Sequence, residues 1–390
     1  MLTKQNSILL ICALLISLGT YSKTYVATHP NVIVIMTDDQ GYPELSLHGN
    51  PILKTPHLDK LAQNSVRFGE FHVAPMCAPT RGQLLTGMDA AANGLVNVSS
   101  GRAFLKPELP TMANLFQANG YRTGVFGKWH LGANYPFRPQ DRGFEESVWF
   151  SSSHIGSVSD YWGNDYFDDT YWHNGVREKY SGYCTDVFFE ESKKFMQASM
   201  DADKPFFAYI ATNTPHGPLV AKEEDLEAME VLYDQSSFPA KGSEQLKSRL
   251  VKYLAMIRNI DTNIGSLVDF LDNKKVRDNT IVIFLTDNGS TQGYSYFNAG
   301  MRGMKTELWD GGHRVPLLVS WPNGDFERIG VEVPGLSQAQ DILPTLVDLC
   351  GLNMVTALPF DGISLASVLR NEEQIDEDRM LITNYSRMPG

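Results

Sequence analysis

Cysteine is scarce in this chain: 390 residues contain four, Cys12, Cys77, Cys184 and Cys350. Cys12 falls in an apolar run near the start, and the three that remain are not a disulfide framework. If Cys184 and Cys350 pair, Cys77 is left over, either as an inert buried thiol or as a reactive one. Charge is also sparse, at 20% of residues against 43% hydrophobic, which excludes disorder and allows a large core. Basic excess is missing: the net charge of −12 argues against nucleic acid and against an anionic membrane surface as partners. No apolar run reaches the roughly 20 residues a bilayer span needs. Residues 8–18 come nearest, and with Lys4 before them and small or polar residues over 20–23 they read as a secretory signal peptide, residues 1–23. Cys12 has no small residue before it, so a lipid anchor is not expected, and the mature protein is placed outside the cytoplasm, secreted or periplasmic. Linkers and fixed-period repeats are absent too, so one large domain is expected.

Short β-branched or aromatic runs alternate with helical patterns, as in a mostly parallel sheet buried on both faces, and the class is α/β. The strand candidates are 31–36, 123–126, 206–211, 280–285 and 315–320. Leu246, Leu250, Leu254, Ile257, Ile264, Leu267 and Leu271 fall on one face of a helix over 245–271. Shorter helices are expected at 56–65, 109–119, 185–200 and 338–350. Residues 135–183, rich in Tyr, Trp, Asp and Gly, have no sustained period, and a connection of that length is usually functional. A helix at 364–370 and a strand at 380–383 follow.

Two strands end in the same device. Residues 33–36 run into Thr37-Asp38-Asp39, and residues 281–285 run into Thr286-Asp287-Asn288-Gly289. Ligands of open parallel sheets bind beyond the carboxyl ends of the strands, and an all-oxygen set of this kind suits a hard cation such as Ca²⁺ or Mg²⁺. The plainer reading of a strand-end Asp is a turn or helix cap. Lys128 and His130 follow a third strand and His216 a fourth, while Lys305 lies in a Gly-rich stretch before the last; Lys brings a compact positive charge and His a titratable proton. A structural histidine and a solvated loop lysine are the plainer readings of His216 and Lys305. Cys77 precedes Pro79, suited to a first helical turn, and Gly87, suited to the end of that helix. A helix N-terminus with Arg81 nearby is expected to lower the thiol pKa.

Cys77-Ala78-Pro79-Thr80-Arg81 with Leu85-Thr86-Gly87 resembles the signature of the type I, formylglycine-dependent sulfatases. Asp38-Asp39, Gly127-Lys128-Trp129-His130, Pro215-His216, Asp287-Asn288-Gly289, Lys305 and Gly311-Gly312 follow in the order of that family, over roughly residues 31–350. The resemblance implies an alkaline-phosphatase-like fold: a large, mostly parallel sheet between helices. The catalytic domain would span 28–354, with 355–390 the start of a C-terminal antiparallel subdomain that is cut short here. It implies that a maturation enzyme converts Cys77 to formylglycine, whose hydrate attacks sulfur through one hydroxyl and expels sulfate through the other. Ca²⁺, or Mg²⁺, would be held by Asp38, Asp39, Asp287 and Asn288 together with position 77. Arg81 and Lys128 would steady the diol, His130 would serve it in proton transfer, and His216 and Lys305 would face the bridging oxygen and the sulfate. Asp310 replaces a more usual Glu, and Asn93 stands where His is common.

Phosphatases and phosphonate hydrolases of the same superfamily are the alternative; Asn288 after Asp287 and Cys77 in the nucleophile position favour sulfate. A non-catalytic binder of sulfated glycans is the other alternative, which the full set of Lys, His and acidic residues disfavours. The expected substrate is a sulfated small molecule or oligosaccharide, because an acidic surface disfavours a long polyanion. Trp149, Tyr161, Trp162, Tyr166, Tyr171 and Trp172, with Asp165, Asp168 and Asn174, could stack and bind sugar rings, or could pack a small core of their own.

Overall fold

Seven consecutive residues of β1 (Asn31–Thr37), Asn-Val-Ile-Val-Ile-Met-Thr, are all buried, as a strand covered on both faces requires. The structure is a computed structural model that describes residues 29–97, 104–236, 238, 243–354 and 359–383; the leader expected at 1–23 lies outside the described residues. The further strands are β2 (Val66–His72), β3 (Arg122–Lys128), β4 (Glu146–Phe150), β5 (Thr170–His173), β6 (Val176–Lys179), β7 (Phe206–Ala211), β8 (Thr280–Thr286), β9 (Leu317–Ser320) and β10 (Glu332–Gln338). They form one ten-stranded sheet in the order β10-β2-β9-β8-β1-β7-β3-β4-β5-β6. From β8 through β1, β7 and β3 to β4 every pairing is parallel. β9 runs antiparallel to both neighbours, and β5 and β6 continue the sheet antiparallel.

Helices cover both faces: α1 (Pro56–Gln63), α2 (Cys77–Thr86), α3 (Ala90–Asn93), α4 (Met112–Ala118), α5 (Cys184–Asp201), α6 (Glu223–Gln235), α7 (Glu244–Asn273), α8 (Asp310–His313), α9 (Ile342–Cys350) and α10 (Ala366–Leu369). The two-residue period of β1 divides the core between them. Val32, Val34 and Met36 share a cluster with Leu84 of α2, Phe116 of α4 and Leu343 of α9. Ile33 and Ile35 share another with Leu61 of α1, Phe188 of α5 and Ile260 of α7.

Several expectations are corrected. The segment 135–183 is not an aperiodic connection, since it supplies β4, β5 and β6. Residues 380–383 form no strand, and the expected helix at 364–370 shortens to α10. Leu365, Val368, Leu369 and Ile375 join the first core cluster, and Arg379 donates to the buried Asp341 carboxylate at 2.7 and 2.9 Å, so residues 365–379 are anchored on the main body. Cys184 and Cys350 are both free and buried rather than paired.

Candidate active site

Because β1, β3, β7 and β8 are parallel, their carboxyl ends open at one edge, and register sets what meets there. Thr37 pairs with Thr286, and the ladder runs one step further, with Asp287 N–H donating to Thr37 O at 3.0 Å and Asp38 N–H to Thr214 O at 3.1 Å. Asp38 and Asp39 thus stand beside Asp287 and Asn288. β3 delivers Lys128 and His130 to the same edge and β7 delivers His216. Gly289 brings in Lys305: a Cβ there would lie 1.9 Å from Gly311 O, so only glycine lets the 302–314 stretch close over the end of β8. Lys305 N–H then donates to Ser290 O at 3.1 Å and Thr306 N–H to Pro75 O at 2.9 Å, two residues before Cys77.

Cys77 is the first residue of α2, a helix buried at every position, and Gly87 closes it at φ 68°, as the positions of Pro79 and Gly87 lead one to expect. The thiol Sγ lies 3.3 Å from His130 Nδ1. Its pKa is not lowered. Burial pushes it up, Lys128 and Lys305 pull it down, and Asp287 and Asp38 oppose them. Arg81 gives the thiol little help because its guanidinium is committed elsewhere: Nη2 and Nε donate to Asp287 Oδ2 at 2.7 and 3.2 Å, and Nη1 to Lys128 O at 2.9 Å.

Each acidic group has its own cation. Lys128 Nζ donates to Asp38 Oδ2 at 2.6 Å with both side chains inaccessible to water, and Lys305 Nζ donates to Asp39 Oδ1. Burial raises the Asp39 carboxyl, but Lys305 and His216 outweigh it and hold it far below the usual carboxylate range. Asp287 goes the other way, pushed up to about 6 by burial and by Asp38 despite Arg81 and Lys128. His130 is held well below its ordinary value by burial and by Lys128, Arg81 and Lys305, so its imidazole is neutral near pH 7 and able to accept a proton. Asp39 and His130 both carry positive φ, 67° and 57°, a strained backbone that tends to gather at functional sites.

The donor set fits a hard cation. Asp38 Oδ1 and Asn288 Oδ1 are buried without a hydrogen-bond partner, and an orphaned buried oxygen is costly unless something unseen satisfies it. Ligand atoms of Asp38, Cys77 and Asp287 lie within 4.8 Å of one another, as do those of Asp38, Asp39 and His216. With Asn288 this is an oxygen-rich cluster of the kind Ca²⁺ or Mg²⁺ takes. Against the three carboxylates stand three cations, Arg81, Lys128 and Lys305, so the cluster is formally neutral before any metal is added.

His216 donates through Nδ1–H to Gly217 O at 2.5 Å, and its Nε2 lies 3.7 Å from Asp39 Oδ2. Burial, Lys128 and Lys305 bring its pKa down to about 4 against the pull of Asp39. Two neighbours escaped the sequence reading. Tyr253 of α7 donates its hydroxyl to Asp39 O at 2.8 Å, fixing the strained residue from behind. His154 stacks on His216, ring centres 5.0 Å apart and planes inclined by 18°. The sequence signal for His154 is its place just beyond the carboxyl end of β4, hidden because residues 135–183 carry no sustained period that marks the strand. Of the aromatic candidates, Trp149, Tyr166 and Tyr171 are core residues, whereas Trp162 is 95% exposed and Tyr161 43%. Asn93 serves its own loop, accepting from Leu95 N–H at 2.9 Å and donating to Met88 O.

A family model described as Sulfatase matches residues 30–352. The chain is 30% identical over 371 residues to an ulvan-active sulfatase of Formosa agariphila, covering 93% of this chain and 69% of that protein. It is 28% identical over 429 residues to an arylsulfatase of Klebsiella aerogenes, covering 87% and 92%. Among solved structures, Ps i-CgsB in complex with k-i-k-neocarrahexaose aligns with a TM-score of 0.77 at 27% identity, over 89% of this chain and 77% of that one. A phosphonate monoester hydrolase of Agrobacterium radiobacter shares the fold, with a TM-score of 0.63 at 23% identity over 90% and 78%.

Proposed function

Since the chain belongs to the sulfatase family and is a sulfuric ester hydrolase of alkaline-phosphatase-like fold, we propose that it removes sulfate from sulfated carbohydrates, with Cys77 matured to formylglycine and a Ca²⁺ ion at the acidic cluster. The observation that carries this reading is the position of Cys77: first residue of a buried helix, 3.3 Å from a neutral His130 and beside a carboxylate cluster with two unanswered oxygens. A buried thiol of raised pKa is a poor nucleophile, so the side chain works better as a precursor than as a thiolate.

Formylglycine at position 77 would supply, as its hydrate, one hydroxyl to attack sulfur and a second whose loss of a proton would release sulfate. Asp38, Asp39, Asp287, Asn288 and position 77 would hold the ion, which would supply positive charge at the sulfate; Mg²⁺ would serve with the same ligands. The chain's own residues do the rest. His130 Nδ1 faces position 77 and takes the proton. Arg81 and Lys128 are locked by Asp287 and Asp38, so they present fixed charge rather than mobile side chains. Lys305 approaches from the opposite loop to hold the sulfate, and His216 Nε2 serves the bridging oxygen. The neutral balance of carboxylates and cations explains how an acidic protein takes an anionic substrate: the ion tips the site positive.

The carbohydrate is inferred from relatives, among them the ulvan-active sulfatase and N-acetylgalactosamine-6-sulfatases, and from the exposed Trp162 and Tyr161. Export to the periplasm or medium fits such a substrate; among the described residues no helix is long and apolar enough to cross a membrane. Sulfate release from sulfated oligosaccharides by the matured protein tests the reading. Wild-type release, falling by at least about a hundredfold in Cys77→Ser, is the expected result; phosphate monoesters cleaved faster than sulfates would contradict it.

A further inference from the structure

His154 is held more firmly than an ordinary loop histidine. Its Nδ1 meets Ser153 Oγ at 3.2 Å, and its carbonyl accepts from Ser152 Oγ at 2.5 Å and Ser157 Oγ at 2.8 Å. The next residue ties the loop to the one it faces, Ile155 N–H donating to Asn213 Oδ1 at 3.1 Å, three residues before His216. The ring of His154 thus lies almost parallel to that of His216 because two loops, from β4 and β7, are joined beneath the pair. For its part His216 is held at one edge, through Nδ1 and Gly217 O. An edge bond fixes the position of Nδ1 but leaves the ring free to tilt about it, and the stacked face removes that freedom.

We propose that His154 is a positioning residue for departure of the sugar: its ring sets the plane of His216 so that Nε2 points at the bridging oxygen of the sulfate ester. The proposal rests on the reading of His216 as the residue serving that oxygen. When the sulfuryl group passes to the nucleophile, the bond from sulfur to the bridging oxygen breaks, its electron pair stays on that oxygen, and the oxygen takes the Nε2 proton of a His216 imidazolium, whose Nδ1–H stays on Gly217 O. A donor aimed away from its acceptor loses strength steeply with angle, so a tilted His216 would serve a poor leaving group badly. A sugar departs as an alkoxide and needs the proton; a nitrophenol departs without it.

The test compares kcat and KM of the matured, metal-loaded protein and its variants on a sulfated oligosaccharide and on 4-nitrophenyl sulfate. His154→Ala is expected to lower kcat on the oligosaccharide by about ten- to a hundredfold, the range misplacement of a catalytic group produces, with KM little changed. On 4-nitrophenyl sulfate the same variant should stay within about threefold of wild type, since proton donation is not needed there. His154→Phe, which keeps a flat ring of similar size, should recover most of the loss. Equal losses on both substrates, or a Phe variant as slow as the Ala variant, would overturn the proposal while leaving sulfate hydrolysis intact. A wild-type protein inactive on both substrates would overturn the reading of the site and the proposal together.

Discussion

A guanidinium sealed from water is tolerable only when its charge is answered, and Arg81 answers Asp287 with two hydrogen bonds while a third goes to Lys128 O. Breaking a buried pair from one side strands the other charge, at a cost of about 3–5 kcal/mol. Arg81→Met is therefore expected to lower unfolding free energy by about that much, and Arg81→Met with Asp287→Asn to recover a good part of it. Denaturant melts of the two variants against wild type check this; a double variant no better than the single would show that the two groups are not coupled. Residues of this kind were legible in the sequence because the motif carries them in fixed spacing: Cys77 and Arg81 one helical turn apart, Asp38 and Asp287 each at the end of an apolar run. The thiol pKa departs from the sequence expectation for a physical reason. Spacing showed the helix N-terminus and the arginine, but not that the arginine would turn to a carboxylate and the thiol be buried.

At the scale of elements, the loops after β1 and β8 are joined by a buried acid. Glu44 accepts from Gly41 N–H at 2.8 Å and from Tyr296 Oη at 3.3 Å, while Tyr253 bridges Asp39 O and Ser290 Oγ. Burial pushes the Glu44 carboxyl up from 4.5 to about 7, against its hydrogen bonds to Ser290 and Gly41. Below the unfolded value both states hold the proton; above it the unfolded chain releases its proton while the folded chain keeps it. The stability that Glu44 contributes is thus greatest below pH 4.5 and is lost as pH rises toward 7, by about 3 kcal/mol in all. Glu44→Gln should remove that slope, seen as a flatter difference between denaturant midpoints across the window; an unchanged slope would place the titration elsewhere. The strands that hold these loops were legible where they are buried on both faces, as Asn-Val-Ile-Val-Ile-Met-Thr and Thr-Ile-Val-Ile-Phe-Leu-Thr are. β6, Val-Arg-Glu-Lys, is exposed throughout, and β10 contains Pro334 and Gly335 with a shift of register between Val333 and Leu336. Neither carries an apolar period, so edge strands were invisible, and with β4 went the signal for His154.

For the molecule as a whole, the net charge of −12 and an anionic substrate would be reconciled at one sheet edge, where the proposed ion would complete a site whose own charges cancel. Chelation should therefore abolish sulfate release and also lower the unfolding midpoint, because an ion that binds only the folded state stabilises it, by about 2.7 kcal/mol at a hundredfold excess over its Kd. Readdition of Ca²⁺ should restore both; full activity after exhaustive chelation would remove the metal from the account. The layered α/β architecture and the edge where the candidate residues meet are legible in the sequence, since parallel strands bring their carboxyl ends together whatever the order in which they pair. The antiparallel setting of β9 and the three-strand extension through β6 could not, because they follow from loop paths that the local sequence does not specify.

The most direct test of the central claim is mass spectrometry of the peptide containing Cys77, from protein matured in a host with a formylglycine-generating enzyme, set beside sulfate release by the same preparations. The account predicts an aldehyde at position 77, trapped by a hydrazide reagent, in a fraction that rises and falls with specific activity. Undiminished sulfate release from protein in which Cys77 is unmodified cysteine throughout would contradict it.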